Sequence, residues 1–118
     1  MAQIEIAAGH GHERARLAFD MFAERVSSAI GALAATLGGV DALTFTDRVG
    51  EQSGALRAAA CEGLEFMGLR LDPERNANSK PDADVARPDS PARIFVIHTQ
   101  EELVVARETL RVVAAITR

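Results

Sequence analysis

Residues 94–97, Ile-Phe-Val-Ile, form an unbroken apolar run followed at once by polar residues. A run this short predicts a strand, and with no polar position to turn toward water it predicts a strand covered on both faces, as in a parallel sheet. Such a strand needs a parallel neighbour reached by a crossover. Residues 42–46, Ala-Leu-Thr-Phe-Thr, supply it. Helical patterns precede, separate and follow the two. Glu13–Leu37 carries apolar side chains at Leu17, Ala18, Met21, Phe22, Val26, Ile30, Leu33, Ala34 and Leu37, one stripe of a long helix. Gly38 and Gly39 then offer the left-handed backbone that commonly ends one. Ser53 is placed to cap a helix bearing Leu56, Ala59, Ala60, Leu64 and Met67. Thr99-Gln100-Glu101-Glu102 fits a capping box ahead of a last helix with Leu103, Ala106, Leu110 and Val113 on one side.

The expected class is therefore α/β: two parallel strands with three helices, plus a short edge strand at Leu69-Arg70-Leu71. Residues 76–91 hold three of the four prolines and read as an exposed loop. Two strands leave two unpaired edges. The weak alternation of Ile4 and Ile6 within residues 3–8 is the one candidate for a third, so the pattern reads as part of a larger sheet.

With 118 residues the chain is expected to be a single domain, residues 1–118. Apolar residues make up 47% of it, but much of that is Ala, with five Phe and neither Trp nor Tyr, so bulky core side chains are few. A net charge of −4 gives nothing to a polyanion, which argues against nucleic acid and anionic membranes as partners. The lone Cys61 cannot form an internal disulfide, as suits a reducing compartment. No apolar run approaches the ~18 residues of a membrane span, and Met1 to Ile6 lack the pattern of a signal peptide. A soluble cytoplasmic protein is expected.

Chemistry concentrates in two places. The loop Asp47-Arg48-Val49-Gly50-Glu51-Gln52 joins a strand to a helix start, where backbone N–H groups can meet a phosphate; the plainer reading is an ordinary turn. Glu101 opens the last helix, either complementing its dipole or reaching a magnesium ion through water; residue type alone favours the dipole. His10 and His12 lack a third ligand nearby and read as solvated loop residues, His98 as a surface group, and Cys61 as a small packed side chain.

Three segments, in matching order and spacing, resemble the acetate kinase family. They are Arg14-Ala15 through Leu37-Gly38-Gly39-Val40-Asp41-Ala42-Leu43; Phe45-Thr46, Val49-Gly50-Glu51-Gln52-Ser53 and Cys61-Glu62-Gly63-Leu64-Glu65-Phe66-Met67-Gly68-Leu69-Arg70-Leu71-Asp72; and Val96-Ile97-His98-Thr99-Gln100-Glu101-Glu102-Leu103 with Ala106-Arg107-Glu108-Thr109. The resemblance spans nearly all of this chain and about the last third of a typical member. It implies the closing portion of a five-stranded, ribonuclease-H-like layer, of which this chain holds the last two strands. It implies the transfer of phosphate between ATP and acetate in a complete enzyme, with ATP and magnesium as cofactors. The loop around Asp47, Arg48, Val49, Gly50, Glu51 and Gln52 would then face the adenosine end of ATP, with Glu101 associated with magnesium. In the family this loop reads Phe-Thr-Gly/Ala-Gly-Ile-Gly-Glu-Asn-Ser; here Asp47 and Arg48 replace the two small residues, Gln52 the Asn, and His98 a Pro. Two side chains thus stand where bare backbone would approach the nucleotide. The family's acetate-binding and phosphoryl-transfer residues match nothing in this chain, so the expectation is a chain inactive alone, paired as a homodimer and completed by an N-terminal kinase half. The other reading is a truncated, non-catalytic dimerisation or binding module.

Overall fold

The computed structural model describes residues 1–116. Two helices open it, α1 (Ala2–Gly9) and α2 (Glu13–Leu37). After β1 (Ala42–Phe45) come α3 (Asp47–Gln52), α4 (Gly54–Cys61), a 3-10 turn at Glu65–Met67 and α5 (Pro73–Ala77). β2 (Ala83–Asp84), β3 (Arg93–Val96) and α6 (Glu101–Ile116) complete it. The sheet order is β1-β3-β2, with β1 and β3 parallel from Ala42 opposite Arg93 to Phe45 opposite Val96. The parallel pair is the one the two apolar runs predict.

Several local expectations are corrected. Residues 3–8 are helical, because Ile4 and Ile6 belong to α1, which folds back along α2. Leu69-Arg70-Leu71 makes only isolated bridges, Leu69 to Ala92 and Leu71 to Ala86. The edge strand is Ala83–Asp84 instead, antiparallel on β3 and fastened where Arg93 Nε donates to Asp84 Oδ2 at 2.8 Å. Residues 76–91 are therefore not exposed throughout: 77–78, 80–82 and 87–89 are exposed, but Val85 and Ala86 are fully buried, and Asn76 and Ser90 are buried among polar partners. Proline-rich composition hid these residues because their burial depends on long-range contacts, not on periodicity. β3 is also not covered on both faces. Ile94 and Val96 turn into the core, while Arg93 and Phe95 stay half-buried.

α2 begins and ends where the stripe and the glycines indicate. Gly38 takes φ 77° at its C-cap, a left-handed backbone that a Cβ would oppose. At its start His12 is a cap, not a free loop side chain: Nδ1 accepts from the Ala15 N–H at 3.3 Å. Ser53 Oγ accepts from Leu56 N–H at 3.0 Å, the cap expected for α4. That helix stops at Cys61, so Leu64 and Met67 belong to the following turn. The core gathers Ile30 from α2, Phe45 from β1, Ala60 and Cys61 from α4, and Leu64, Leu69, Val85, Ala86, Ala92, Ile94 and Val96 around the sheet.

α6 differs from the other long elements. None of its residues is buried, so it covers neither sheet face, contrary to the three-helix packing expected. It starts at Glu101, one residue later than a Thr99 cap implies, with the Gln100 carbonyl accepting from Leu103 and Val104. The chain is correspondingly extended. Its radius of gyration is 17.5 Å, against about 13–14 Å for a compact domain of this length. None of the described helices is long and apolar enough to cross a membrane.

Candidate functional site

β1 ends at Phe45, and the chain turns into α3 through Asp47, whose φ of 62° is left-handed backbone. Asp is among the few side chains that tolerate this, yet it costs about 1 kcal/mol relative to Gly. Asp47–Gln52 is thus a short helix, not a loop. Once the chain has passed Asp47, nothing in Arg48-Val49-Gly50-Glu51 prevents a helical turn. Gly50 packs against the strand end: a Cβ there would lie 3.4 Å from the Phe45 carbonyl carbon and Cβ. Val49 lines a separate hollow beside α1.

The parallel pairing carries the end of β3 alongside the end of β1, and so brings residues 98–103 opposite α3. Between them lies an open cleft of about 670 Å³ lined by Asp47, Arg48, Glu51, Gln52, His98, Thr99, Gln100, Glu101, Glu102 and Leu103. Four of the six loop residues singled out in the sequence, together with Glu101, therefore share one cavity; Val49 and Gly50 do not line it.

Glu51 spans the cleft. Its Oε2 accepts from His98 Nδ1 at 2.7 Å and its Oε1 from the Thr99 N–H at 3.2 Å. Because an ionised carboxylate only accepts, the neutral ring carries its proton on Nδ1. The hydrogen bond to His98 is the main influence holding Glu51 below the usual carboxylate value; burial opposes it and Thr99 N–H adds to it. Reciprocally, the hydrogen bond and charge of Glu51 raise His98 above the usual imidazole value of 6.5, with smaller help from Asp82 and Glu102 against partial desolvation. Asp82 also fixes the backbone, its Oδ1 accepting from the His98 N–H at 3.1 Å. His98 is thus a surface group, as expected, and one that also braces the cleft.

Behind this wall stands Arg57, 2% exposed. Its Nη1 donates to the carbonyls of Gly50 (2.7 Å) and Glu51 (2.9 Å), the last turn of α3. Nε reaches Asn76 Oδ1 at 2.7 Å, and Nη2 reaches the Asn76 carbonyl (3.1 Å) and Ser79 Oγ (2.7 Å). Burial draws its pKa below the usual guanidinium value, with Cys61 opposing weakly. Sequence reading missed this residue, although Arg57 is the lone charge among Leu56, Ala58, Ala59, Ala60 and Cys61. Cys61 is buried as expected, and desolvation pushes its thiol up to about 12, far from a nucleophile. Among the described residues no three His, Cys, Asp or Glu side chains converge as a metal site.

Residues 1–107 match the model of the acetokinase family. The chain belongs to the acetokinase family. Over 108 residues it is 48% identical to an acetate kinase of Nostoc sp., covering 92% of this chain and 27% of that protein. Over 116 residues it is 50% identical to an acetate kinase of Leifsonia xyli, covering 98% and 29%. In three dimensions it is similar to the crystal structure of Porphyromonas gingivalis acetate kinase, with a TM-score of 0.82 and 37% identity over 93% of this chain and 28% of that one. A propionate kinase of Francisella tularensis superposes with a TM-score of 0.80 at 30% identity, over 91% of this chain and 27% of that one. This acetokinase-family chain thus spans between a quarter and a third of the length of these relatives.

Proposed function

We propose that the chain forms the nucleotide-side wall of an acetate-kinase-type phosphotransferase and does not transfer phosphate by itself. One observation carries the reading. Asp47–Gln52 and Glu101, far apart in sequence, meet across a single cleft, and these are the segments that the family resemblance assigns to ATP and magnesium. The cleft volume, about 670 Å³, is of the size that small-molecule sites occupy, ~300–1,000 Å³.

The residues fit one side of such a site. Magnesium is usually held by one or two carboxylates and keeps several waters. Glu101 would supply one carboxylate, and the ion would neutralise charge on the phosphates. Asp47, Glu51, Glu101 and Glu102 outnumber Arg48 and His98 at the cleft, so a bare triphosphate is repelled from it. Phosphoryl transfer needs positioning and charge on both sides of the reacting group, and this wall supplies one side, with Arg48 and His98 as its basic side chains. The two parallel strands are then the last of a five-stranded, ribonuclease-H-like sheet completed by the rest of the kinase fold.

Mapping backbone amide resonances during a titration with ATP and magnesium tests the reading. Perturbations are expected at millimolar nucleotide, centred on Asp47–Gln52 and residues 99–103. A dissociation constant in the low micromolar range, ~8 kcal/mol, would contradict the obstruction assigned to Asp47 and Arg48, and perturbations confined to other surfaces would overturn the site. Asp47→Gly with Arg48→Gly is expected to tighten binding. A second reading, a non-catalytic dimerisation or binding module, draws on those same two side chains and on the uncovered apolar residues of α2 and α6. Both readings include self-association as a homodimer.

A further inference from the structure

Arg57, Glu51 and His98 form a continuous connection from the buried side of α3 to the far wall of the cleft. The backbone of Glu51 is gripped from behind, since Arg57 Nη1 donates to its carbonyl and to that of Gly50. Its side chain, 11% exposed, points the other way and holds two groups of the β3–α6 joint, the His98 ring and the Thr99 N–H. α6 has no buried residue, so little else fixes the direction in which it leaves the sheet. Asp82 adds a single bond to the backbone of His98.

We propose that Glu51 is a positioning residue that couples the two walls of the cleft, with Arg57 as its fixed anchor and the β3–α6 joint as the part it places. Breaking the carboxylate contacts releases the start of α6, and with it Glu101 and Glu102, while leaving the sheet intact. The consequence for nucleotide rests on the proposed function; the coupling itself does not. The charged groups facing His98 are Glu51 from α3, Asp82 from the turn before β2, and Glu102 from α6.

Hydrogen exchange and ring-nitrogen spectroscopy on the whole chain, without nucleotide, decide the coupling. In the unsubstituted protein the Thr99 amide is expected to be protected and His98 to show the Nδ1–H tautomer. Glu51→Ala is expected to speed exchange at Thr99, Leu103 and Val104 about tenfold, the loss of one hydrogen bond to a charged group, with Ile94 and Val96 unchanged. Glu51→Gln, which keeps an acceptor for Thr99, is expected to fall between. Unchanged exchange at Thr99, or equal loosening of Ile94 and Val96, would overturn the proposal. Should Glu51→Ala fail to fold, an Nε2–H tautomer or an unprotected Thr99 amide in the unsubstituted chain overturns it equally. If ATP with magnesium perturbs no variant while these readouts hold, the nucleotide reading fails and the coupling stands.

Discussion

α4 and α6 carry comparable apolar stripes but meet different fates. In α4, Leu56, Ala60 and Cys61 are buried against the sheet and α2, and even the charge of Arg57 is absorbed by five hydrogen bonds. In α6, Leu103, Val104, Val105, Leu110, Val112, Val113 and Ile116 remain 44–78% exposed. Amphipathic spacing specifies that a face wants cover; it does not specify that the same chain provides it. The surface total carries the same lesson. The chain exposes 8374 Å², some 2,000 Å² more than the ~6,200 Å² of a compact monomer of its mass. That excess is more than the ~800 Å² that each partner contributes to a standard protein interface.

The largest effect is expected at Arg57. Arg57→Ala strands the carbonyls of Gly50, Glu51 and Asn76 inside the protein and opens a void, at an expected cost of about 3–5 kcal/mol in urea denaturation. Leu110→Ala, a larger apolar loss by pattern, is expected to change monomer stability by less than about 0.5 kcal/mol.

Association sharpens the contrast. Sedimentation across a concentration series is expected to show a dimer, and Leu110→Glu with Val113→Glu to raise its dissociation constant at least tenfold, about 1.4 kcal/mol, without unfolding it. A folded monomer of 12.6 kDa at every concentration would mean that α6 needs no cover.

The smallest effect is pH-dependent. His98 is raised in the folded state, so its contribution is full below the ordinary value of 6.5 and is lost as pH rises through the higher folded value. Glu51 is lowered, so its contribution is full above 4.5 and is lost as pH falls through the lower folded value. The clamp is therefore strongest between these ordinary values and slackens toward alkaline pH. Exchange at Thr99 should follow that profile, and His98→Ala should flatten it.

What the sequence made legible follows from how local each signal is. α2, its glycine terminus, the Ser53 cap and the parallel strand pair rest on spacing within a few residues, and all stand in the structure. β2, the burial of Val85 and Ala86 and the Arg57 node depend on segments distant in sequence, and no periodicity marks them. The cleft lies between these cases: its two segments were each identifiable, but the Glu51–His98 contact joining them was not.

The central question is whether this wall serves phosphoryl transfer once the rest of the fold is supplied. The most direct measurement is acetyl phosphate formation by the Nostoc acetate kinase with its matching stretch replaced by this chain, beside the chain alone. The chain alone is expected to give no turnover. The chimera is expected to turn over more slowly than its parent, to recover with Asp47→Gly and Arg48→Gly, and to lose activity with Glu101→Ala. Turnover by the isolated chain that Glu101→Ala abolishes, or a folded chimera that stays inactive with both glycines in place, would contradict it.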